Sequence, residues 1–444
     1  MSFACFEAVP DMPPVDEIVA YLKQLSRPTM SERLAEADRS GIALIQPRSG
    51  VGSQRKMIAL LDVLNRPDTA DCLTLTIDSH TRLLKFDTAK RLLMQAPEQL
   101  NGYPLVAHGY QAVREITERY DRPIQVRHGS PDGRRLFVES IAGGIQSFEG
   151  GGISYNLPYC RNVSLELSLR AWQEIDQACG GLEELGCPID REFFGSLSAV
   201  LMPPSISLAV ILLEAVLASR AGCRCLSLAY PQSGNIIQDV AAMQSIRQLA
   251  TRYVDASAKV YPVLHEFMGV FPQDIERAQT LILFGGLTGR LGRATKIINK
   301  TSQEAIGIPD AEVNAEGIRR TRLAYEDYFS FLDVPRDRVD EEAYWIQRET
   351  QELLDPILSK PDLITAIVEA FHDGRLDIPF PSNRREALGR IAPVRDSGIA
   401  IRFADTGKLP FSDEVKAHNK AKCKQSAPDA SIFKRVRDSI MYFA

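Results

Sequence analysis

The chain has 444 residues, is 45% hydrophobic, and sets 52 basic against 57 acidic side chains for a formal net charge of −5. That composition supports a large core, and its acidic balance argues against an electrostatically driven nucleic-acid binder, which needs a basic face. Met1–Phe6 lacks the basic and apolar regions of a signal peptide, and the longest apolar stretch, Ile206–Ala218, is too short to span a bilayer.

Residues 1–40 are polar, with helical patches at Val15–Leu25 and Met30–Ala37. From residue 41 to about 301, short apolar runs alternate with longer amphipathic stretches. The expected strands are Ile42–Gln46, Leu73–Ile77, Leu105–His108, Ile124–Arg127, Gln146–Glu149, Ala199–Met202, Cys225–Ala229, Val260–Glu266, Thr280–Phe284 and Lys296–Asn299. Met57–Leu64, Tyr110–Tyr120, Leu165–Ala178, Ser207–Ser219 and Ile236–Tyr253 read as helices between them. Strand–helix alternation implies parallel strands joined by crossover helices. So many strand candidates suit a (β/α)8 TIM barrel better than a doubly wound sheet. Residues 310–375 read as charged helices. Residues 376–444 are richer in Pro and Gly, with strand-like pieces at Ile391–Asp396 and Gly398–Phe403. The expected fold is therefore α/β: an N-terminal helical extension (1–40), a TIM barrel (41–330) and a C-terminal helical and α+β extension (331–444).

Arginines stand at or just past the ends of three runs: Arg48, Arg82 and Arg127. A fourth run ends in Glu149, followed by Gly150-Gly151-Gly152. Parallel strands of a barrel bring their last residues to one mouth, where barrel active sites lie. Guanidinium forks donate paired hydrogen bonds to carboxylates, and clustered arginines are unfavourable until an anion arrives. The pattern suits a small dianion that also carries a cation, an amino dicarboxylate, with Glu149 meeting the ammonium or acting as a general base. Separate arginines, each paired with a helix carboxylate, would account for the same residues. Tyr155 and Tyr159 stand four apart, a spacing that joins them on one face if the segment is helical, although Pro158 opposes a helix. Lys300 and Glu304 follow the last run and could bind nucleoside hydroxyls or form a solvated helix pair.

Other features are dismissed on chemistry. Asp78-Ser79-His80 begins like a cobalamin-binding Asp-x-His-x-x-Gly motif, but position 83 is Leu. Gly285–Gly292 lacks the GK[ST] ending of a phosphate loop, leaving Arg290 and Arg293 as weak anion-binding candidates. The six histidines have no metal-ligand spacing, so no metal site is expected, and the eight cysteines include no CxxC pair. Cys223 and Cys225 straddle one residue and could share a strand face, but two small buried hydrophobes account for them better than a metal site. Free thiols without an export signal point to the cytoplasm.

Seven stretches taken in order resemble the epsilon subunit of glutamate (methylaspartate) mutase. They are Gln46–Gly50, Arg127–Asp132, Glu149–Asn156 with Pro158-Tyr159, Leu201–Ser205, Gly234–Ala242, Gly269–Asp274, and Lys300 with Glu304–Pro309. The resemblance implies a barrel and an adenosylcobalamin-dependent radical rearrangement of L-glutamate to threo-3-methylaspartate. It further implies that Arg48, Arg82 and Arg127 grip the substrate carboxylates and that Glu149 meets the ammonium, with Tyr155 and Tyr159 completing the pocket. Gly50, Pro158, Phe271, Lys300, Glu304 and Ile308 match cofactor-contact positions. The family carries Asn where this chain has Ala107, so one cofactor hydrogen bond is expected to be missing. With no axial-histidine motif here, a separate small (sigma-type) cobalamin-binding subunit is expected, two large subunits pairing in a heterotetramer, with no nucleic-acid or membrane partner. The alternatives are a mutase acting on a related glutamate-like acid, or a non-catalytic anion-binding homologue.

Overall fold

The computed structural model describes residues 2–198, 200–305, 307, 309–424 and 431–444. Eight parallel strands form its centre: β1 (Leu44–Gln46), β2 (Leu73–Thr76), β3 (Ile124–Arg127), β4 (Ser147–Glu149), β5 (Asp190–Phe194), β6 (Cys225–Pro231), β7 (Lys259–His265) and β8 (Lys296–Ile298). Their order, β1-β8-β7-β6-β5-β4-β3-β2, leaves one seam between β1 and β2. Individual bonds bridge that seam: Asp71 N to Ile45 O at 2.9 Å and Thr76 N to Ser49 O at 2.7 Å. The Gln46 side chain adds a third, donating to Thr74 Oγ1 at 2.9 Å. The result is the expected α/β barrel, with helices on its outer surface.

Alternation along each strand sends one side chain inward and the next toward the helices. Leu73, Leu75, Ile124, Val126, Phe148, Phe193, Leu226, Leu228, Leu264 and Ile297 face outward and form the main core with helices such as Leu165–Glu184 and Pro204–Arg220. Inside, a plug of Leu44, Cys72, Cys225 and Tyr261 packs on Met30 and Leu34 of helix Met30–Ser40. Above the plug, beside a small apolar cluster of Ala229, Val263 and Ile298, much of the interior is polar, where most barrels stack aliphatic layers. Gln46 donates to Gln125, which donates to Ser147, and both Ser147 and Ser227 donate to Asp190. All these groups are buried.

Three expected strands need correction. Leu105–His108 is a short helix entered from Pro104. Thr280–Phe284 lies inside the helix Ile275–Leu291; a short run, apolar after its first residue, has no period that separates buried helix from buried strand. Residues 200–202 form no strand, and residue 199 lies outside the described residues. The strand in that part of the barrel is β5, whose charged residues concealed it. The helix expected at Ile236–Tyr253 has those bounds, and the others differ by a few residues at their ends.

Helices Arg336–Leu358 and Leu363–Asp373 lean on the barrel helices. The hairpin β9 (Ala392–Arg395) and β10 (Ile401–Asp405) follows. Arg402 fixes it through a two-pronged pair with Glu342 at 2.7 and 2.6 Å. No helix among the described residues is long and apolar enough to cross a membrane.

Gly180 lies on helix Leu165–Glu184 with the Ala221 carbonyl against its Cα, so an added methyl would meet backbone rather than a yielding side chain. Alanine normally favours a helix, but here the clash dominates. Gly180→Ala should destabilise the chain by about 1–3 kcal/mol in chemical denaturation.

Candidate active site at the mouth of the barrel

The strand ends bring Arg127 and Glu149 together, both buried. Arg127 Nη2 donates to Glu149 Oε1, while Nη1 donates to Glu192 Oε1 at 2.8 Å and Gln125 Oε1 at 2.9 Å. His265 Nε2, at the end of β7, lies 3.1 Å from Nη2. Glu149, Glu192 and His265 could together hold a metal ion by their ligand chemistry. The cation they surround is the Arg127 guanidinium. Lys296 reaches across from β8 to set its Nζ 2.6 Å from Glu192 Oε2.

This environment drives the two carboxyls apart. Burial raises Glu149 to about 7, with Glu192's charge adding to the rise against the pull of Arg127. Burial also opposes the charge on Glu192, but Lys296 and Arg127 overcome it and hold Glu192 well below the usual carboxylate range. Such a split marks one carboxyl able to exchange a proton near neutrality and one that remains an anion. Burial lowers His265 to about 3, leaving it neutral.

The loop after β4 folds over Glu149. Tyr155 donates its hydroxyl to Glu149 Oε2. Its ring meets Tyr159 edge-on with centroids 5.9 Å apart, and the stretch 151–159 turns tightly enough for this without forming a regular helix. Gly150 has φ 117°, a left-handed value that disfavours a side chain. A Cβ at Gly151 would meet the Glu214 carboxylate, which takes the N–H groups of Ile153 and Ser154 at 2.8 Å each. Arg191 grips the same backbone from outside the barrel, donating to Phe148 O at 2.7 Å and Gly150 O at 2.9 Å.

Arg82 and Arg48 stand nearer the rim. Asp78 caps the short helix that carries Arg82, whose guanidinium lies 5.6 Å from the Tyr159 ring and whose buried Nε has no protein partner. A Cβ at Gly129 would sit 2.7 Å from Arg82 Cδ, so the glycine gives Arg82 its path. Arg48, exposed on the loop after β1, acts electrostatically on Glu149, Tyr159, Lys300 and Glu304. Lys300 Nζ lies 2.6 Å from Glu304 Oε2. Burial lowers Lys300 to about 8, and the neighbouring Thr301 hydroxyl is buried without a partner. Gly50 has no room for a side chain against the Thr76 carbonyl. Phe271 packs in a satellite cluster with Phe267, and the carbonyl of Pro158 accepts from Ser382 at 2.7 Å. These positions follow β1, β4, β7 and β8, on one face of the barrel. Ile308 lies outside the described residues. The run Gly285–Arg293 falls largely in a helix, where Gly285, Gly286 and Gly289 seat against Glu266, Thr321 and Ile297.

Sequence reading missed Glu192, Lys296, His265 and His128. Asp190 and Glu192 carried the one available sign, two acids at period 2 about Arg191, between Ile189 and Phe193-Phe194. His128 is half-buried, its imidazole pushed down to about 3 by desolvation; it stacks on Trp172, and its buried Nε2 has no hydrogen-bond partner.

Parallel strands closed into a cylinder, with ionisable groups gathered at their C-terminal ends, define a (β/α)8-barrel enzyme. The profile of the methylaspartate mutase E chain (MutE) matches residues 26–441, and the chain belongs to that family, whose members are isomerases. It is 40% identical over 425 residues to the glutamate mutase epsilon subunit of Desulfitobacterium hafniense (strain Y51), covering 93% of this chain and 88% of that one. It is also 40% identical over 411 residues to the glutamate mutase epsilon subunit of Halobacterium salinarum, covering 90% and 85%. The corresponding subunit of Haloarcula marismortui is 39% identical over 420 residues, covering 93% and 85%.

Glu214→Ala would strip the acceptor from two buried N–H groups. Stability should fall by about 2–3 kcal/mol, and amide hydrogen exchange at Ile153 and Ser154 should rise well above that of β6.

Proposed function

We propose that this chain is the large subunit of an adenosylcobalamin-dependent glutamate mutase that converts L-glutamate to threo-3-methylaspartate. The observation that carries the proposal is the Arg127–Glu149 pair, buried under a rim that holds Arg48 and Arg82. A buried cation and anion side by side are complementary to the ammonium and carboxylate of an amino acid. Arg127 binds one substrate carboxylate, Arg48 and Arg82 hold the other, and Glu149 receives the ammonium. Tyr155 orients Glu149, and with Tyr159 and Phe194 it keeps water from the reacting carbons. Near neutrality Glu149 can take or return the ammonium proton.

The donor set beside the pocket fits the cofactor. Lys300, Glu304 and the unpartnered Thr301 hydroxyl suit ribose hydroxyls, Gly50 admits close approach, and Phe271 and Pro158 offer apolar walls. Ile308 belongs to the same expected group. Where the family has Asn, Ala107 withholds one polar contact. Adenosylcobalamin, when bound, supplies a carbon radical through homolysis of its cobalt–carbon bond. A small subunit bearing the axial histidine would bring the corrinoid to the mouth, with two large subunits joined in a heterotetramer in the cytoplasm. Residues 41–330 are then the catalytic unit, with 1–40 and 331–444 as extensions.

Mixing the chain with a small cobalamin-binding subunit, adenosylcobalamin and L-glutamate should yield threo-3-methylaspartate. Product from a related acid but none from glutamate would move the assignment to that acid. No product and no cob(II)alamin signal with any acid would sink the enzymatic reading.

Two variants test the pocket by calorimetry. Arg127→Lys should weaken glutamate binding about tenfold or more, because a point charge cannot replace the fork. Glu149 must be ionised to pair with the ammonium. Wild-type affinity should therefore fall as pH drops through about 7, and Glu149→Gln should bind weakly without that dependence.

A further inference from the structure

We propose that Glu192 is a positioning residue: braced by Lys296, it holds one nitrogen of Arg127 so that only the other exchanges partners when an amino dicarboxylate binds. This rests on the reading of Arg127 and Glu149 given above.

The guanidinium is divided between two acids. Nη1 is committed to Glu192 Oε1 at 2.8 Å and Gln125 Oε1 at 2.9 Å, both on the barrel wall. Nη2 faces Glu149 and His265. Glu192 itself lies between two cations, since its other oxygen is 2.6 Å from Lys296 Nζ. Lys296 and Glu192 are fully buried, and Gln125 also donates to Glu192 Oε2 at 3.1 Å. Glu192 thus has two cations and an amide, while Glu149 has one guanidinium and a phenol. The bond that yields is the one between Nη2 and Glu149.

A zwitterion replaces that bond without a change of charge. Its carboxylate takes Nη2 and its ammonium takes Glu149, so each buried charge keeps an opposite partner. A dicarboxylate lacking the ammonium would strand Glu149 beside another anion. The exchange needs Arg127 to stay in place while Nη2 changes partner. Without Glu192, only the neutral Gln125 amide holds Nη1, so Arg127 can turn both nitrogens to Glu149 and close the pair against the ligand.

The groups facing Glu149 are Arg127 from β3, Glu192 from β5, His265 from β7, Arg48 from the loop after β1, and Tyr155 and Tyr159 from its own loop, with His128 at its backbone. Replacing Glu192 by Gln removes the one negative neighbour among them and leaves Glu149 as the one carboxylate on Arg127. Both changes favour ionised Glu149, so the acid limit of glutamate binding moves to lower pH.

The test is calorimetric titration of the full chain with L-glutamate and with glutarate across pH, for wild type, Glu192→Gln and the double variant Glu192→Gln/Lys296→Met. If the single variant folds poorly, the double variant also removes the buried lysine, which Glu192→Gln would leave with Asp190 alone at 4.0 Å. The expected result is a Kd for glutamate raised about tenfold or more in folded variants, with the acid limit displaced downward. In the reconstituted enzyme KM should rise by a larger factor than kcat falls. A merely structural role would lower thermal stability without moving the pH limit. A folded variant with wild-type affinity and an unmoved limit overturns the proposal alone. A wild-type chain that binds neither acid overturns the reading of the site and this proposal with it.

Discussion

Inside the barrel, two carboxylates and two cations are stable only as a set. Arg127 lies between Glu149 and Glu192, and Lys296 closes the circuit behind Glu192. Removing water from any one of these groups alone would cost several kcal/mol, so each depends on the placement of the others. The polar interior follows from this constraint. Gln46, Gln125, Ser147 and Ser227 supply the dipoles that the ions and Asp190 still lack, where an aliphatic layer would leave them unsatisfied. The aliphatic packing that holds the fold lies instead between the strands and the outer helices.

Rigidity is unequal around this set. Glu149 sits where a strand gives way to a glycine-rich turn, and its backbone is secured by groups that take no part in the pocket. Glu214 gathers the N–H groups of the turn, and Arg191 gathers the carbonyls on either side of Glu149. The carboxylate thus has a fixed base and a local environment that favours proton exchange. At the rim, Arg48 and Arg82 have few protein partners, as suits groups whose counter-charge comes from outside.

Much of this was legible in the sequence. Alternation of apolar runs and amphipathic stretches gave the barrel, and Arg127, Glu149 and Tyr155 could be grouped because strand ends share a mouth. The inner layer was not legible, because inward-facing charge breaks the apolar signal by which strands are recognised. Asp190-Arg191-Glu192 reads as a polar connector until the partners of each side chain are known. In the opposite direction, Thr280–Phe284 has the composition of a strand, and only its place within a long helix decides otherwise. Lys296 opens an apolar run and reads as a boundary residue, although its ammonium reaches the far wall. The spacing of Tyr155 and Tyr159 identified neighbours correctly, but a turn rather than a helix makes them so.

β5 carries an inheritance constraint that its five residues do not advertise. Arg191 and Glu192 are consecutive, one serving the outside of the wall and the other the inside. Inserting or deleting a single residue before them would invert that parity, sending a guanidinium into the chamber and a carboxylate into the greasy jacket. A length change in a surface loop away from the mouth leaves that parity untouched, whereas one within this strand does not.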